Sequence, residues 1–112
     1  MKLKTIVESL SLEVKTAGRD LTQEVTGGYV SDLLSDVIAN AKAGDVWVTL
    51  QVHPNIVAVA ALKELSGIVL VNGRQPEVET LDRANEEGIP ILITEMPAFE
   101  LVGELYKLIE GK

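Results

Sequence analysis

Residues 46–72 read VWVTLQVHPNIVAVAALKELSGIVLVN, and this stretch decides the fold class. Residues 46–52 are rich in β-branched side chains and have the length of a strand. Pro54 suits the first turn of a following helix, and Gly67 suits the position just after its end. The largely apolar run IVLVN at residues 68–72 is typical of a strand buried on both faces. The stretch therefore predicts two parallel strands joined by a helix in a right-handed crossover.

The same alternation of strands and helices extends on both sides of this stretch. Residues 29–42 repeat apolar side chains at helical intervals and predict a helix directly after Gly27 and Gly28. Further helices are predicted at residues 2–10, at residues 76–88 and from Pro97 onward. The last of these has an apolar stripe of Phe99, Val102, Leu105, Tyr106 and Ile109. Further strands are predicted at residues 11–16, just before Gly28, and at residues 89–94. We predict a single α/β domain over residues 1–112, with a mostly parallel sheet of about four or five strands flanked by helices.

Composition excludes several classes of function. The chain has no cysteine, which rules out disulfides, thiol catalysis and cysteine-based metal sites. Its formal net charge is −7, which disfavours nucleic-acid binding through a general basic face. No apolar stretch approaches the roughly 20 residues of a membrane-spanning helix. The amino terminus lacks the features of a signal peptide, so a soluble cytoplasmic protein is expected.

Open parallel sheets bind ligands beyond the carboxyl ends of their strands. Loops that follow predicted strands therefore hold the candidate ligand-binding residues, and we expect the loop at Gly27–Gly28 to join the others at one edge. These candidates are Gly27, Gly28, His53, Asn55, Asn72, Gly73 and Arg74.

The role of each candidate is open from the residues alone. Gly27 and Gly28 can offer backbone N–H groups to an anion at a helix start, or can serve a turn with positive φ and close packing. His53 can contact a ligand or cap the next helix. Arg74 can hold a phosphate or carboxylate, or can pair with Glu77 or Glu79.

Trp47 is a further residue with two interpretations, since it can lie in the core or in a subunit interface. No P-loop, dinucleotide-binding glycine motif or nucleophile elbow is present. The single histidine lacks partners at metal-ligand spacing, so neither a metal nor a cofactor is expected. A small enzyme with His53 as its base is the least favoured hypothesis.

The sequence over residues 25–108 resembles the DRTGG domain family. The segments that carry the resemblance are Thr26-Gly27-Gly28, SDLLSDVIANA, HPNIVAVAAL and VNGRQPE, and the leading residues 1–16 also resemble the start of the family. The family takes its name from an Asp-Arg pair followed by Thr-Gly-Gly. That pair is missing directly before Thr26 here, and Arg19–Asp20 lies upstream.

The resemblance implies an α/β unit similar to the N-terminal domain of HPr kinase. Such domains accompany phosphotransacetylases and pyrophosphatases with CBS domains, where they resemble regulatory and dimerising modules. The kinase activity of HPr kinase belongs to a separate P-loop domain, so a kinase label does not carry over to this chain. The resemblance thus implies a non-catalytic regulatory module that forms a homodimer and binds a small anionic ligand such as a nucleotide. The alternative is an interaction module that regulates a partner enzyme and has no small ligand.

Overall fold

The computed structural model describes residues 1–18 and 20–111, so Arg19 lies outside the described residues. Five helices and five strands are described, and they alternate from the second strand onward. In chain order they are α1 (Leu3–Leu10), β1 (Glu13–Val14), β2 (Gly27–Val30), α2 (Leu34–Asn40), β3 (Asp45–Thr49), α3 (Asn55–Lys63), β4 (Gly67–Leu70), α4 (Val78–Glu87), β5 (Ile91–Ile93) and α5 (Ala98–Glu110).

The strands form one mostly parallel sheet in the order β1-β5-β4-β3-β2. Strands β2 to β5 are parallel, and the short strand β1 pairs antiparallel with β5. The register pairs Gly27 with Asp45 and Val46 with Gly67. The single α/β domain and its mostly parallel sheet are therefore confirmed, and so is the strand predicted in residues 11–16.

Two helical layers cover the sheet because its central strands are apolar on both faces. Strand β3 is buried along its whole length, with Trp47 in one core cluster and Val46 and Val48 in the other. Helices α2, α3 and α4 pack side by side over the Trp47 face, while α1 and α5 cover the opposite face. Among the described residues, no helix is both long and apolar enough to cross a membrane.

The helix predicted to begin at Tyr29 is wrong at its start. Gly27–Val30 form the edge strand β2, and α2 begins only at Leu34. Val30 and Leu33 belonged to the predicted apolar stripe, but they are 48% and 64% exposed. A four-residue strand is too short to show alternation, and its apolar residues happened to continue the spacing of the following helix.

The end of α3 also differs from the prediction. The helix ends at Lys63, and Glu64 takes the left-handed capping conformation with φ of 56°. Gly67, predicted to follow the helix, is instead the first residue of β4. There the Cβ of any other residue would lie 3.2 Å from the Leu3 side chain, so Gly67 serves packing between β4 and α1.

Candidate functional site

The carboxyl edge of the parallel strands holds most of the predicted site. His53 and Asn55 follow β3, and Asn72, Gly73 and Arg74 follow β4. The structure thus brings these five residues to the predicted edge.

Gly27 and Gly28 lie at the amino-terminal ends of the parallel strands, opposite the carboxyl edge. They begin β2, and their parallel partners Asp45 and Val46 begin β3. The expectation that the glycine pair joins the other loops at a helix entrance is therefore wrong. The residues that follow β2 at the carboxyl edge are Ser31 and Asp32.

Hydrogen bonds within the fold already occupy much of the carboxyl edge. His53 Nδ1 accepts a bond of 3.1 Å from the Asn55 N–H at the start of α3, as the capping interpretation predicts. The Asn72 N–H donates to the Met96 carbonyl at 3.0 Å, and the Gly73 N–H donates to the Thr94 carbonyl at 2.8 Å. These backbone donors are therefore not available to cradle an anion.

Arg74 is exposed and forms no ion pair with any residue that the structure describes. The predicted alternative, a salt bridge to Glu77 or Glu79, is absent within that part of the chain. The Glu95 carboxylate lies against the same loop, since a Cβ on Gly73 would lie 2.6 Å from Glu95 Oε2. Arg74 thus remains a free cation on an edge that also carries a carboxylate.

Asp32 is a residue of this edge that the sequence did not single out as a contact. Its Oδ1 accepts hydrogen bonds from the Thr49 hydroxyl at 2.8 Å and from the Leu50 N–H at 2.7 Å. The Asp32 carbonyl accepts a further bond of 2.9 Å from Gln51 Nε2. Asp32 therefore ties the loop after β2 to the loop after β3. This contact depends on the pairing of β2 with β3, which the sequence alone does not reveal.

A groove of about 470 Å³ runs along the exposed side of β2, and we call it the β2 groove. Side chains of α5 form an apolar wall, and polar groups from the end of α2 and the start of β3 face it. The groove is lined by Thr26, Gly27, Gly28, Tyr29, Val30, Asn40, Lys42, Asp45, Val102, Leu105, Tyr106, Ile109 and Glu110. Two of the predicted site residues, Gly27 and Gly28, are among them.

Close packing explains the Thr-Gly-Gly segment. A Cβ on Gly27 would lie 2.7 Å from Asp45 Oδ1, and Thr26 packs directly on Gly44. Gly27 and Gly28 both lie outside the left-handed region, so the predicted turn with positive φ is wrong. The close packing that was predicted together with this turn agrees with the structure.

A hydrogen-bonded cluster centred on Asp36 supports one wall of the β2 groove. The Tyr29 hydroxyl donates to Asp36 Oδ2 at 2.8 Å, and Asn40 Nδ2 donates to Asp36 Oδ1 at 2.9 Å. The bond from Tyr29 lowers the pKa of Asp36, and the same bond raises the pKa of Tyr29. Asp36 thus fixes two side chains that line the groove.

Lys42 is the one cation among the residues that line the β2 groove. Its side chain is in no ion pair with a residue that the structure describes. Its backbone N–H donates to Asp45 Oδ2 at 2.8 Å, which fixes where the chain turns into β3. The described residues form no cluster of three acidic or histidine side chains able to hold a metal.

A second cavity of about 330 Å³ lies between the segment after β1 and the end of α4. Thr22, Gln23 and Asn85 are among the residues that line it. Asn85 Oδ1 accepts a bond of 2.8 Å from the Ala17 N–H. These contacts join the long segment before β2 to α4.

No protein-family model matches the sequence, and no curated protein matches it. The chain is similar to the CBS and DRTGG domains of the regulatory region of Clostridium perfringens pyrophosphatase, solved with the activator diadenosine tetraphosphate. The TM-score is 0.65 at 17% identity, over 91% of this chain and 44% of that chain. The fold agrees with the DRTGG resemblance. The chain spans less than half of the length of this structural neighbour. At 17% identity the similarity shows a shared fold only.

Proposed function

We propose that this chain is a non-catalytic regulatory module that binds a nucleotide in the β2 groove and self-associates. The observation that carries the proposal is the combination, in one groove, of an apolar wall with a single unpaired lysine. Pockets for small ligands typically measure about 300–1,000 Å³ and combine apolar lining with a few polar groups. The groove, at about 470 Å³, falls within that range.

The two sides of the groove suit the two parts of a nucleotide. Val102, Leu105 and Tyr106 offer apolar and aromatic surface for a flat base. Lys42 also lines the groove and offers a charge for a phosphate. The structural neighbour, a regulatory region in complex with a dinucleotide activator, supports this choice of ligand class.

The absence of a P-loop from the sequence supports a regulatory role over a catalytic one. His53, the one histidine, lies outside the groove lining, and its Nδ1 accepts from the Asn55 N–H. A histidine that caps a helix in this way would have to give up that bond to act as a base.

Thermal shift with adenosine monophosphate, adenosine triphosphate and diadenosine tetraphosphate tests the site. A ligand at 100 times its dissociation constant adds about 2.7 kcal/mol to the free energy of unfolding. We expect at least one nucleotide to raise the melting temperature and Lys42→Ala to abolish the shift. Arg74→Ala is the matched control, because its cation lies at the carboxyl edge and should leave the shift unchanged.

Two results would count against this site. If no nucleotide raises the melting temperature, the ligand proposal fails. If Arg74→Ala abolishes the shift and Lys42→Ala does not, the ligand binds at the carboxyl edge, as the sequence predicts.

For self-association in the absence of nucleotide we propose the free edge of β2, which borders the β2 groove, so that a bound nucleotide and a paired second chain would compete for it. Among the described residues, no strand pairs with the side of β2 that faces away from β3, and Val30 is 48% exposed there. Unpaired strand edges are ready templates for pairing with another chain. Light scattering should show a dimer at micromolar concentration that Val30→Lys disrupts. Leu62→Lys, at an exposed position of α3, adds the same charge and should leave the dimer intact, whereas a monomeric parent protein contradicts the proposal.

Exposed apolar residues at the carboxyl edge favour a second candidate function, docking to a partner enzyme. Val78 begins α4 and is 76% exposed, and Phe99 near the start of α5 is 91% exposed. Both helices begin at the carboxyl edge, α4 on the Trp47 face of the sheet and α5 on the opposite face. If the chain regulates an enzyme through this surface, Phe99→Ser should abolish the regulation while Lys42→Ala leaves it intact. An effect of Lys42→Ala alone would favour the nucleotide site.

A further inference from the structure

We infer that two copies of this chain pair their β2 strands antiparallel about a twofold axis at Tyr29, which joins the two five-stranded sheets into one. The inference rests on the proposed self-association and specifies which residues of the two chains meet. It follows from which backbone groups of β2 remain free and from the difference between the two outer strands of the sheet.

The pairing of β2 with β3 determines which backbone groups of β2 remain free. The Ser31 N–H donates to the Val48 carbonyl at 3.3 Å, and Val48 is the register partner of Val30. Backbone groups of successive strand residues point to opposite sides, so those of Tyr29 and Ser31 face β3. The N–H and C=O groups of Gly28 and Val30 therefore point away from β3. Outside the β2–β3 pairing, no backbone hydrogen bond of the described residues reaches either of them.

The two outer strands of the sheet differ in their protection against such pairing. Strand β1 has only two residues, and the charged side chains of Glu13 and Lys15 lie within it and directly after it. Short strands and charged side chains are common means of preventing strand pairing at an edge. Strand β2, Gly27–Val30, carries neither a charge nor a proline, and Val30 is 48% exposed. The edge at β2 is therefore the one suited to pair with another strand.

A second copy of β2 matches these free groups in one register. When Gly28 lies opposite Val30 of the second copy, the two residues exchange both N–H···O bonds, and the twofold axis repeats the pair. Tyr29 then lies opposite Tyr29 of the second copy as the non-hydrogen-bonded pair between them. Every free backbone group of Gly28 and Val30 is thereby used in both chains.

The neighbouring twofold registers lack free partners. A register centred on Gly28 would place Val30 opposite Thr26, whose N–H already donates to the Gly44 carbonyl at 3.1 Å. A register centred on Val30 would place Gly28 opposite Asp32, which lies beyond β2 and whose carbonyl already accepts a side-chain bond of 2.9 Å. The register centred on Tyr29 avoids both conflicts.

The same register gives the exposed side chain of Val30 an apolar contact. Gly28 lies on the α5 face of the sheet, since its Cβ would lie 3.7 Å from Leu105 Cδ2. Directly opposite residues of an antiparallel pair project from the same face. Val30 of the second copy therefore enters the β2 groove on the side of Leu105. Each chain both supplies this contact and receives it, as a twofold interface requires.

Single-cysteine variants test the register, because the chain has no cysteine of its own. Tyr29→Cys brings two thiols to directly opposite positions with Cα atoms about 4.5 Å apart, which suits a disulfide. Val30→Cys places them two residues apart along the strands, at about 8–9 Å, which is too far. After mild oxidation without nucleotide, a non-reducing gel should show Tyr29→Cys mostly as covalent dimer and Val30→Cys as monomer. Leu62→Cys, exposed on α3, is the control and should also remain monomeric.

A mixed sample makes the test independent of the Tyr29 side chain, whose loss also removes its bond to Asp36. Gly28→Cys and Val30→Cys should cross-link to each other, because these positions lie opposite at about 5.5 Å, and neither should cross-link to itself. An affinity tag on one of the two chains identifies the linked pairs by mass. Self-linked Gly28→Cys or Val30→Cys overturns the inference, since it indicates a register centred on that residue.

The same samples distinguish failure of this register from failure of the proposed self-association. If the parent protein is a dimer that Val30→Lys disrupts, but the expected cross-links at Tyr29 and between Gly28 and Val30 do not form, the proposed edge stands and the register is wrong. If the parent protein is monomeric at micromolar concentration, the self-association fails and the inference fails with it.

Discussion

Gly27 lies directly against the carboxylate of Asp45, so that a Cβ on Gly27 would lie 2.7 Å from Asp45 Oδ1. The two residues are register partners at the start of β2 and β3. Asp45 is only 8% exposed, and its Oδ2 accepts the Lys42 N–H at 2.8 Å, so the carboxylate has little room to move. The glycine is therefore needed for the approach of two strands.

Gly27→Ala should destabilise the protein for this reason. The added methyl group must displace the Asp45 carboxylate, and overpacking of this kind costs about 1–3 kcal/mol. Urea denaturation measures the loss in the free energy of unfolding. Gly28→Ala is the matched control, because its Cβ would meet its nearest neighbours at an ordinary 3.6–3.7 Å. Equal losses for the two variants would contradict the packing role of Gly27.

The hydrogen bond between Tyr29 and Asp36 should be visible in the titration of Tyr29. Because the bond raises the pKa of Tyr29 above its ordinary 10.0, its phenol should ionise at a higher pH than an unpaired tyrosine. Absorbance at high pH in a Tyr106→Phe background isolates Tyr29, since the chain has two tyrosines. Adding Asp36→Ala to that background should return the pKa of Tyr29 towards its ordinary value. An unchanged titration would show that the bond is not formed in solution.

The same bond predicts how stability depends on acid pH. The pKa of Asp36 is lowered from its ordinary 3.8 by the Tyr29 hydroxyl, so the folded state binds this proton less readily than the unfolded state. The stabilisation is fully present above pH 3.8 and is lost as the pH falls through the lowered pKa. Tyr29→Phe should therefore lower stability at neutral pH and have less effect in strong acid. Denaturation curves of both proteins across this range measure the difference, and a constant difference would contradict it.

Asp32 should be a structural residue of the carboxyl edge. Asp32→Ala removes the acceptor for the Thr49 hydroxyl and the Leu50 N–H, and the loss should cost about 1–3 kcal/mol. Asp32→Asn keeps an acceptor oxygen and should cost less. Urea denaturation of both variants measures the two losses. Nucleotide affinity in the β2 groove should be unchanged, because Asp32 is outside its lining.

The central part of the fold could be predicted because its signals are local. The β-branched run of β3, the Pro54 start of α3 and the apolar run of β4 each appear within a few residues. The strand predicted just before Gly28 is displaced, since β2 is Gly27–Val30: its four residues show no alternation, and their pairing with β3 depends on distant partners. The predicted apolar stripe of α5 is also partly wrong. Phe99 is 91% exposed and Tyr106 is 62% exposed, whereas Leu105 is buried.

The candidate site was less predictable than the fold. The rule that ligands lie beyond the carboxyl ends of strands placed His53, Asn72 and Arg74 at one edge, as the structure has them. It gave no indication of the β2 groove. The residues that line this groove fall within 26–45 and 102–110, two segments that are far apart along the chain. The sequence contained Asn40 and Lys42 but no periodicity that links them to α5. Such a groove depends on tertiary packing and has no local signature.

Trp47 illustrates a residue whose two sequence interpretations the structure separates. Its side chain is fully buried, and its Nε1–H donates to the Ser31 carbonyl at 2.8 Å. Trp47→Phe leaves that carbonyl without its donor and creates space in the core, so it should cost about 2–4 kcal/mol. Urea denaturation measures the loss. The intrinsic fluorescence of the parent protein should be blue-shifted and resistant to quenching by iodide. It should also be independent of protein concentration, because a core tryptophan does not report on self-association; an emission shift on dilution would instead indicate an interface role for Trp47.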